Sequence, residues 1–150
     1  MPKFVSHSPT QTKNLAKQMA RQFKGGKILG LMGNLGSGKT QFTKGLAEYF
    51  GIENPITSPT FVLLKPYQIK KDRSRSVPTA IKQLIHIDCY RVKDPTELLA
   101  IGLNEYLQDS KNLIVIEWAE KIKSILPKDT CWIKFELGKK ENERIIKKEL

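Results

Sequence analysis

The sequence predicts an α/β domain in three layers, with a mainly parallel sheet between helices and an antiparallel edge. Three observations carry this. Helix-like and strand-like patterns alternate along the chain. Several strand patterns, such as Leu113-Ile114-Val115-Ile116, are apolar at every position, as expected of strands covered on both faces. A glycine-rich run from Gly33 to Thr40 separates a strand pattern from a helix pattern. With 150 residues, no internal repeat and no linker-like stretch, the chain is expected to form one domain able to bury a core without crosslinks.

The elements follow in order. Ser8-Pro9-Thr10-Gln11 has the form of a helix start: a capping serine, proline at the first helical position and glutamine three residues after the serine. Leu15, Ala16, Met19, Ala20 and Phe23 recur at helical spacing, so an amphipathic helix is expected to reach about Gly25-Gly26. Lys27 to Met32 is a short apolar run between glycines, a buried strand. A second helix is expected from about Lys39 to Phe50, with Gly51 as its cap. Phe61 to Leu64, extended to Tyr67, reads as a strand. Lys70 to Lys82 breaks the pattern with Lys70, Lys71, Arg73 and Arg75 beside serines and Pro78, and is expected to be an exposed basic loop.

Leu84 to Asp88 returns to strand. Asp94-Pro95-Thr96-Glu97 repeats the sequence of cap, proline and acid, and opens a helix that stops near Gly102. Leu113 to Ile116 is a buried strand, and Lys121 to Leu126 a short helix ended by Pro127. Cys131 to Leu137 and Arg144 to Lys148 close the chain as two strands about a turn at Gly138; these supply the antiparallel edge.

The net charge is +11, from 26 Lys and Arg against 15 Asp and Glu. Such an excess concentrates polyanions and favours contact with nucleic acid or an acidic protein surface, without choosing between them. No apolar run has bilayer-spanning length, and Met1-Pro2-Lys3-Phe4-Val5 does not begin a leader, so a cytoplasmic protein is expected. Cys89 and Cys131 are far apart and form no CxxC pair; they read as reduced, half-buried side chains.

The strongest chemical signal is Gly33-Asn34-Leu35-Gly36-Ser37-Gly38-Lys39-Thr40, a complete G-x-x-x-x-G-K-T between a strand and a helix. Glycines allow a tight loop whose successive N–H groups point inward at phosphate oxygens. The helix that follows adds its unpaired N–H groups and the positive end of its dipole. Leu35, Gly36, Ser37 and Gly38 would wrap the phosphates, Lys39 would reach the β- and γ-phosphates, and the Thr40 hydroxyl would meet magnesium. The chain therefore reads as a P-loop NTPase-like domain that binds a nucleoside triphosphate, ATP with Mg2+.

Magnesium held by a threonine and phosphates calls for a carboxylate at the end of a neighbouring buried strand. Asp88 and Glu117 both stand there, and either can reach the metal while the other positions water. No Asn/Thr-Lys-x-Asp guanine reader is present, which favours adenine. Trp118 fits either a place beside the nucleotide or the core. His86, among apolar neighbours, reads as a hydrogen-bonded structural residue in preference to a catalytic base. Thr57-Ser58-Pro59-Thr60 is a plain turn or a segment that senses the γ-phosphate.

Four separated motifs together carry a more specific likeness. The P-loop, Ser58-Pro59-Thr60-Phe61, His86-Ile87-Asp88-Cys89-Tyr90-Arg91 and Ile116-Glu117-Trp118 resemble, in order and rough spacing, the bacterial TsaE (YjeE-type) family from about Ser8 to Leu137. Asp94-Pro95 and Glu97-Leu98 look like that family too. The resemblance implies an ATPase within the machinery that makes N6-threonylcarbamoyladenosine in tRNA. Its partner would be the TsaD–TsaB heterodimer, in which TsaD performs the transfer to tRNA and ATP hydrolysis resets the assembly between turnovers. Contact with tRNA would be indirect or within that complex.

By the same likeness Lys39 and Thr40 serve phosphate and magnesium, and Glu117 is the magnesium-side acid. Asp88 supports the γ-phosphate and water, Thr60 lies in a switch-like segment, and Trp118 and Glu120 flank the nucleotide. Arg144 corresponds weakly to a late residue near it. The basic stretch Lys70 to Lys82 is longer than the family's turn, and the end after Leu137 is short and lysine-rich. Two other readings stay open: a P-loop small-molecule kinase with Arg73 and Arg75 in a lid, and a nucleotide-switched RNA-binding module using the basic loop.

Overall fold

The computed structural model describes residues 3–57, 63–70 and 80–149. Its strands are β1 (Phe4–Ser6), β2 (Lys27–Met32), β3 (Leu64–Gln68), β4 (Gln83–Asp88), β5 (Asn112–Glu117), β6 (Cys131–Leu137) and β7 (Arg144–Glu149). Its helices are α1 (Pro9–Ala20), α2 (Lys39–Tyr49), α3 (Thr96–Ala100) and α4 (Leu103–Gln108), with a 3-10 helix over Ala119–Ile125. The strands form a single sheet in the order β1-β7-β6-β2-β5-β4-β3.

The four central strands, β6, β2, β5 and β4, run parallel. Antiparallel pairing occurs on both flanks: β3 against β4 on one side, β7 against β6 and β1 against β7 on the other. The expected antiparallel edge is therefore matched by a second one. The parallel centre aligns the carboxyl ends of β2, β4 and β5, where ligands bind in sheets of this kind.

Side-chain alternation divides the core between the two faces. Leu29, Leu31, Leu84, Leu113 and Val115 meet Leu15, Met19, Phe42 and Leu46 from α1 and α2. Ile85, Ile87, Ile114 and Ile116 meet Leu98, Leu103 and Ile122 on the opposite face. The apolar sides of β4 and β5 thus explain the continuous hydrophobic runs in the sequence. On the α2 face, the period of two that sets Leu84 and Leu113 inward also brings His86, Asp88 and Glu117 inward. Helix α1 lies against α2 at Gly45, where an added Cβ would stand 2.5 Å from the Lys13 carbonyl oxygen.

Local chemistry sets the element ends. Ser8 Oγ accepts from Gln11 N at 3.1 Å, and the His7 N–H donates to Gln11 Oε1 at 2.7 Å, so the expected cap is formed. Helix α1 ends at Ala20, well before Gly25-Gly26; a turn through Arg21 and Gln22 still brings Phe23 into the core. The helix after Asp94 is split. Asp94 Oδ1 accepts from Thr96 N and Thr96 Oγ1, each at 2.9 Å. Gly102, at φ 90°, then ends one short helix and starts α4, where the sequence predicts a stop. Strand β1 is not among the elements the sequence predicts. Residues 61–62 of the expected third strand, residues 71–79 of the expected basic loop and Thr60 lie outside the described residues.

Candidate nucleotide-binding site

The loop Gly33–Thr40 leaves the end of β2 and enters α2. Three of its glycines take positive φ: Gly33 at 147°, Gly36 at 77° and Gly38 at 104°. At Gly33 a Cβ would also collide with the Phe135 carbonyl oxygen and stand 2.8 Å from Ser37 Oγ, so neither backbone nor space admits a side chain. Gly38 caps α2 with no side-chain bond to the first turn, leaving its N–H groups for another acceptor.

Lys39 is buried at the first turn of α2, only 4% exposed. Its Nζ donates to the Gly33 carbonyl, to the Asn34 carbonyl at 3.0 Å and to Ser37 Oγ at 3.5 Å. The same ammonium stands 4.2 Å from the centre of the Trp118 ring. Burial lowers its pKa below the ordinary 10.5, while the charges of Glu117, Glu120 and Asp88 act to raise it.

The next residue joins two distant parts of the chain. Thr40 Oγ1 lies 3.1 and 3.2 Å from the two carboxylate oxygens of Glu117, at the end of β5. With its hydrogen directed at Glu117, the hydroxyl keeps its lone pairs for a cation. Glu117 Oε1 is also 3.0 Å from His86 Nε2 on β4. Asp88 is the register partner of Glu117 across the β4–β5 pair and accepts from Tyr90 N at 2.9 Å through Oδ1. Parallel pairing is what makes two carboxylates, separated by a helix pair in sequence, neighbours at one end of the sheet.

Beyond Glu117 the chain turns through Trp118 at φ 58°, the one non-glycine residue with positive φ among those described. Such backbone is costly for a large side chain and concentrates where function constrains it. The turn lays the Trp118 ring 5.2 Å from that of Tyr90. Lys121 holds the pair from outside, donating to the Tyr90 carbonyl and standing 5.8 Å from the Trp118 ring centre.

These groups border an open cleft of about 520 Å³, lined by Leu35, Gly36, Ser37, Gly38, Lys39, Thr40, Gln41, Asp88, Tyr90, Arg91, Glu117 and Trp118. Glu120 is exposed and stands outside this lining, though its charge acts on Lys39. Arg144 lies behind the loop, its Nε donating to the Gly36 carbonyl at 2.9 Å. Gln41 carried no signal in the sequence. Tyr90 and Arg91 belong to the H-x-D-x-Y-R motif, which is the sequence signal that points to them. Cys89, next to Asp88 but buried, is pushed up to about 12 by its burial, which keeps it a thiol.

The oxygen donors suit magnesium. Among the described residues, no group of three or more His, Cys, Asp or Glu side chains could cage a metal alone. A hydroxyl beside a carboxylate, within a loop built for phosphates, matches an ion that takes few protein ligands and completes its shell with phosphate oxygen and water.

A phosphate-binding loop, a lysine, a threonine–carboxylate pair and a parallel sheet ending at them define a P-loop nucleotide-binding protein. The family model for "Threonylcarbamoyl adenosine biosynthesis protein TsaE" matches residues 6–146. The chain belongs to the TsaE family, the ATP-binding component of the machinery that makes threonylcarbamoyladenosine in tRNA. The tRNA threonylcarbamoyladenosine biosynthesis protein TsaE of Bacillus subtilis is 39% identical over 131 residues, covering 87% of this chain and 75% of that one. Its namesake from Rickettsia bellii is 42% identical over 124 residues, covering 82% and 78%. The crystal structure of Bacillus subtilis YdiB superposes with a TM-score of 0.73 at 32% identity, covering 97% of this chain and 82% of that one. Among the described residues, no helix is long and apolar enough to cross a membrane.

Proposed function

We propose that the cleft binds ATP with Mg2+ and hydrolyses it in concert with a TsaD–TsaB heterodimer, supporting repeated rounds of tRNA modification. The observation that carries this reading is the contact between Thr40 and Glu117, made beside a buried Lys39 at the mouth of the glycine loop.

In this reading Leu35 to Gly38 offer backbone N–H groups to the phosphates, joined by the first turn of α2. Lys39 supplies positive charge where negative charge grows on the transferring group. Thr40 and Glu117 would hold the metal, which would supply charge stabilisation at the phosphate oxygens. The contact with Thr40 supports Glu117 on the metal side. Asp88 is left to face the γ-phosphate and the attacking water, its Oδ1 steadied by Tyr90 N. Trp118 forms a wall of the nucleotide site, Glu120 adds negative charge at its margin, and Thr60 belongs to a switch segment that follows the γ-phosphate. Contact with tRNA is indirect or occurs within the larger complex.

The test is hydrolysis of ATP by the purified chain with and without TsaD–TsaB. Weak turnover alone and faster turnover with the pair is expected, together with loss of threonylcarbamoyladenosine from tRNA when the protein is depleted. Turnover indifferent to the pair, with the tRNA modification intact after depletion, removes the proposal.

A further inference from the structure

We infer that His86 is a positioning residue that fixes the Glu117 carboxylate for its work beside Thr40. The inference rests on the reading of the site as a magnesium–nucleotide site.

His86 is fully buried on the face of β4 that turns toward α2. Its companions on that face of β4 are Leu84, apolar and fully buried, and the acid Asp88, and its register partners are Val115 on β5, apolar and fully buried, and Lys65 on β3. Toward Leu84 and Val115 an aliphatic side chain would pack as well as an imidazole. The histidine also carries a cost, because its Nδ1 has no hydrogen-bond partner among the described residues. A purely structural account of the position has no use for that cost.

What the imidazole does provide is one bond, Nε2 to Glu117 Oε1 at 3.0 Å. An ionised carboxylate only accepts, so Nε2 carries the hydrogen and, in the neutral ring, Nδ1 keeps a lone pair. Glu117 has three side-chain torsions, and its described hydrogen bonds come from just two side chains, Thr40 and His86. They approach from different elements, α2 and β4. Thr40 alone leaves the carboxylate free to rotate about a single hydroxyl, whereas the second anchor on Oε1 fixes its plane. Partners of this kind behind a metal-side carboxylate tune metal affinity.

The full-length chain carrying His86→Leu or His86→Gln separates these roles. Gln places an amide N–H near the position of Nε2; Leu offers no donor. Calorimetry measures binding of a non-hydrolysable ATP analogue across a magnesium titration and without the metal. For His86→Leu, the magnesium needed for half-saturation is expected to rise about 10- to 100-fold with metal-free nucleotide affinity unchanged, and His86→Gln to recover most of the loss. A folded Leu variant with wild-type magnesium dependence overturns the inference, as does a Gln variant no better than Leu. Should Leu fail to fold, His86→Asn replaces it, since its amide stops short of Glu117; equal magnesium dependence in Asn and Gln then overturns the inference. If magnesium does not strengthen nucleotide binding in the wild type, the metal reading of the site fails and this inference falls with it. If it does, and the His86 variants match the wild type, the inference alone is lost.

Discussion

Strands β4 and β5 present two different surfaces to the same pair of helices. Over their earlier residues the inward face is Leu84, Leu113 and Val115, all fully buried in the α1–α2 cluster. At their carboxyl ends that face becomes His86, Asp88 and Glu117, opposite Lys39 and Thr40. Backbone and pleat are continuous; only the side chains change. Burial stabilises the first surface through transfer of apolar area from water. The second must answer for every desolvated charge with a partner, and it does so within itself: ammonium to loop carbonyls, hydroxyl to carboxylate, carboxylate to imidazole. Substitutions at the two ends should therefore damage different properties.

The largest effect is expected from Lys39→Ala. Removing a cation placed against developing charge costs on the order of 10²- to 10³-fold or more in hydrolysis. Stability should change far less. Burial already disfavours the ammonium, as its lowered pKa records, so its removal relieves one cost while leaving Glu117, Glu120 and Asp88 less compensated. The stability of the fold is expected to fall less than on truncation of a core leucine. Urea unfolding alongside steady-state hydrolysis checks both halves. A variant that hydrolyses normally, or unfolds like a core truncation, erases the distinction between the two ends.

The reverse pattern belongs to Leu113→Ala. This side chain lies wholly inside the helix-facing core, away from the cleft lining. Truncation should cost about 2–5 kcal/mol, the spread reflecting how far the site collapses. Hydrolysis per folded molecule should be unchanged when measured well below the new melting point. A selective fall in turnover without loss of stability would show that the two surfaces are not separable.

The sequence carried this partition unevenly. Strand β2 could be read to its last residue because its apolar run is closed by glycines at both ends. The glycine loop was equally plain, since its spacing answers to a fixed requirement for backbone N–H groups around phosphate. Asp88 and Glu117 could be placed at strand ends, but their adjacency depends on β4 pairing with β5 across α3 and α4, which spacing does not encode. Three-residue β1 shows no periodicity and exists through its pairing with β7. Helix α4 was hidden because Gly102 reads as a stop; its left-handed backbone is both a stop and a new start. His86 was legible as a hydrogen-bonded structural residue, yet its partner lies 31 positions away and only the fold names it.

A third carboxylate completes the comparison and carries the smallest effect. Glu48 on α2, like Glu117, has two partners, but they are the half-buried Lys13 at 3.0 Å and Lys17 at 2.8 Å on α1, and its side chain is 43% exposed. Hydrogen bonds from Lys17 and Lys13 hold its pKa below the ordinary 4.5. A carboxylate with a depressed folded pKa contributes stability above its unfolded pKa and loses that contribution as pH falls through the folded one. Water screens this pair of bridges, so Glu48→Gln should cost only about 0.2–1 kcal/mol near neutrality. The difference from wild type should shrink below pH 4.5 and also at high salt, because both conditions remove what the mutation removes. Urea melts at pH 7 and pH 3.5, compared for the two proteins, decide it. A difference that persists or grows in acid would mean that Glu48 acts through the packing of its stem between the helices and not through its charge.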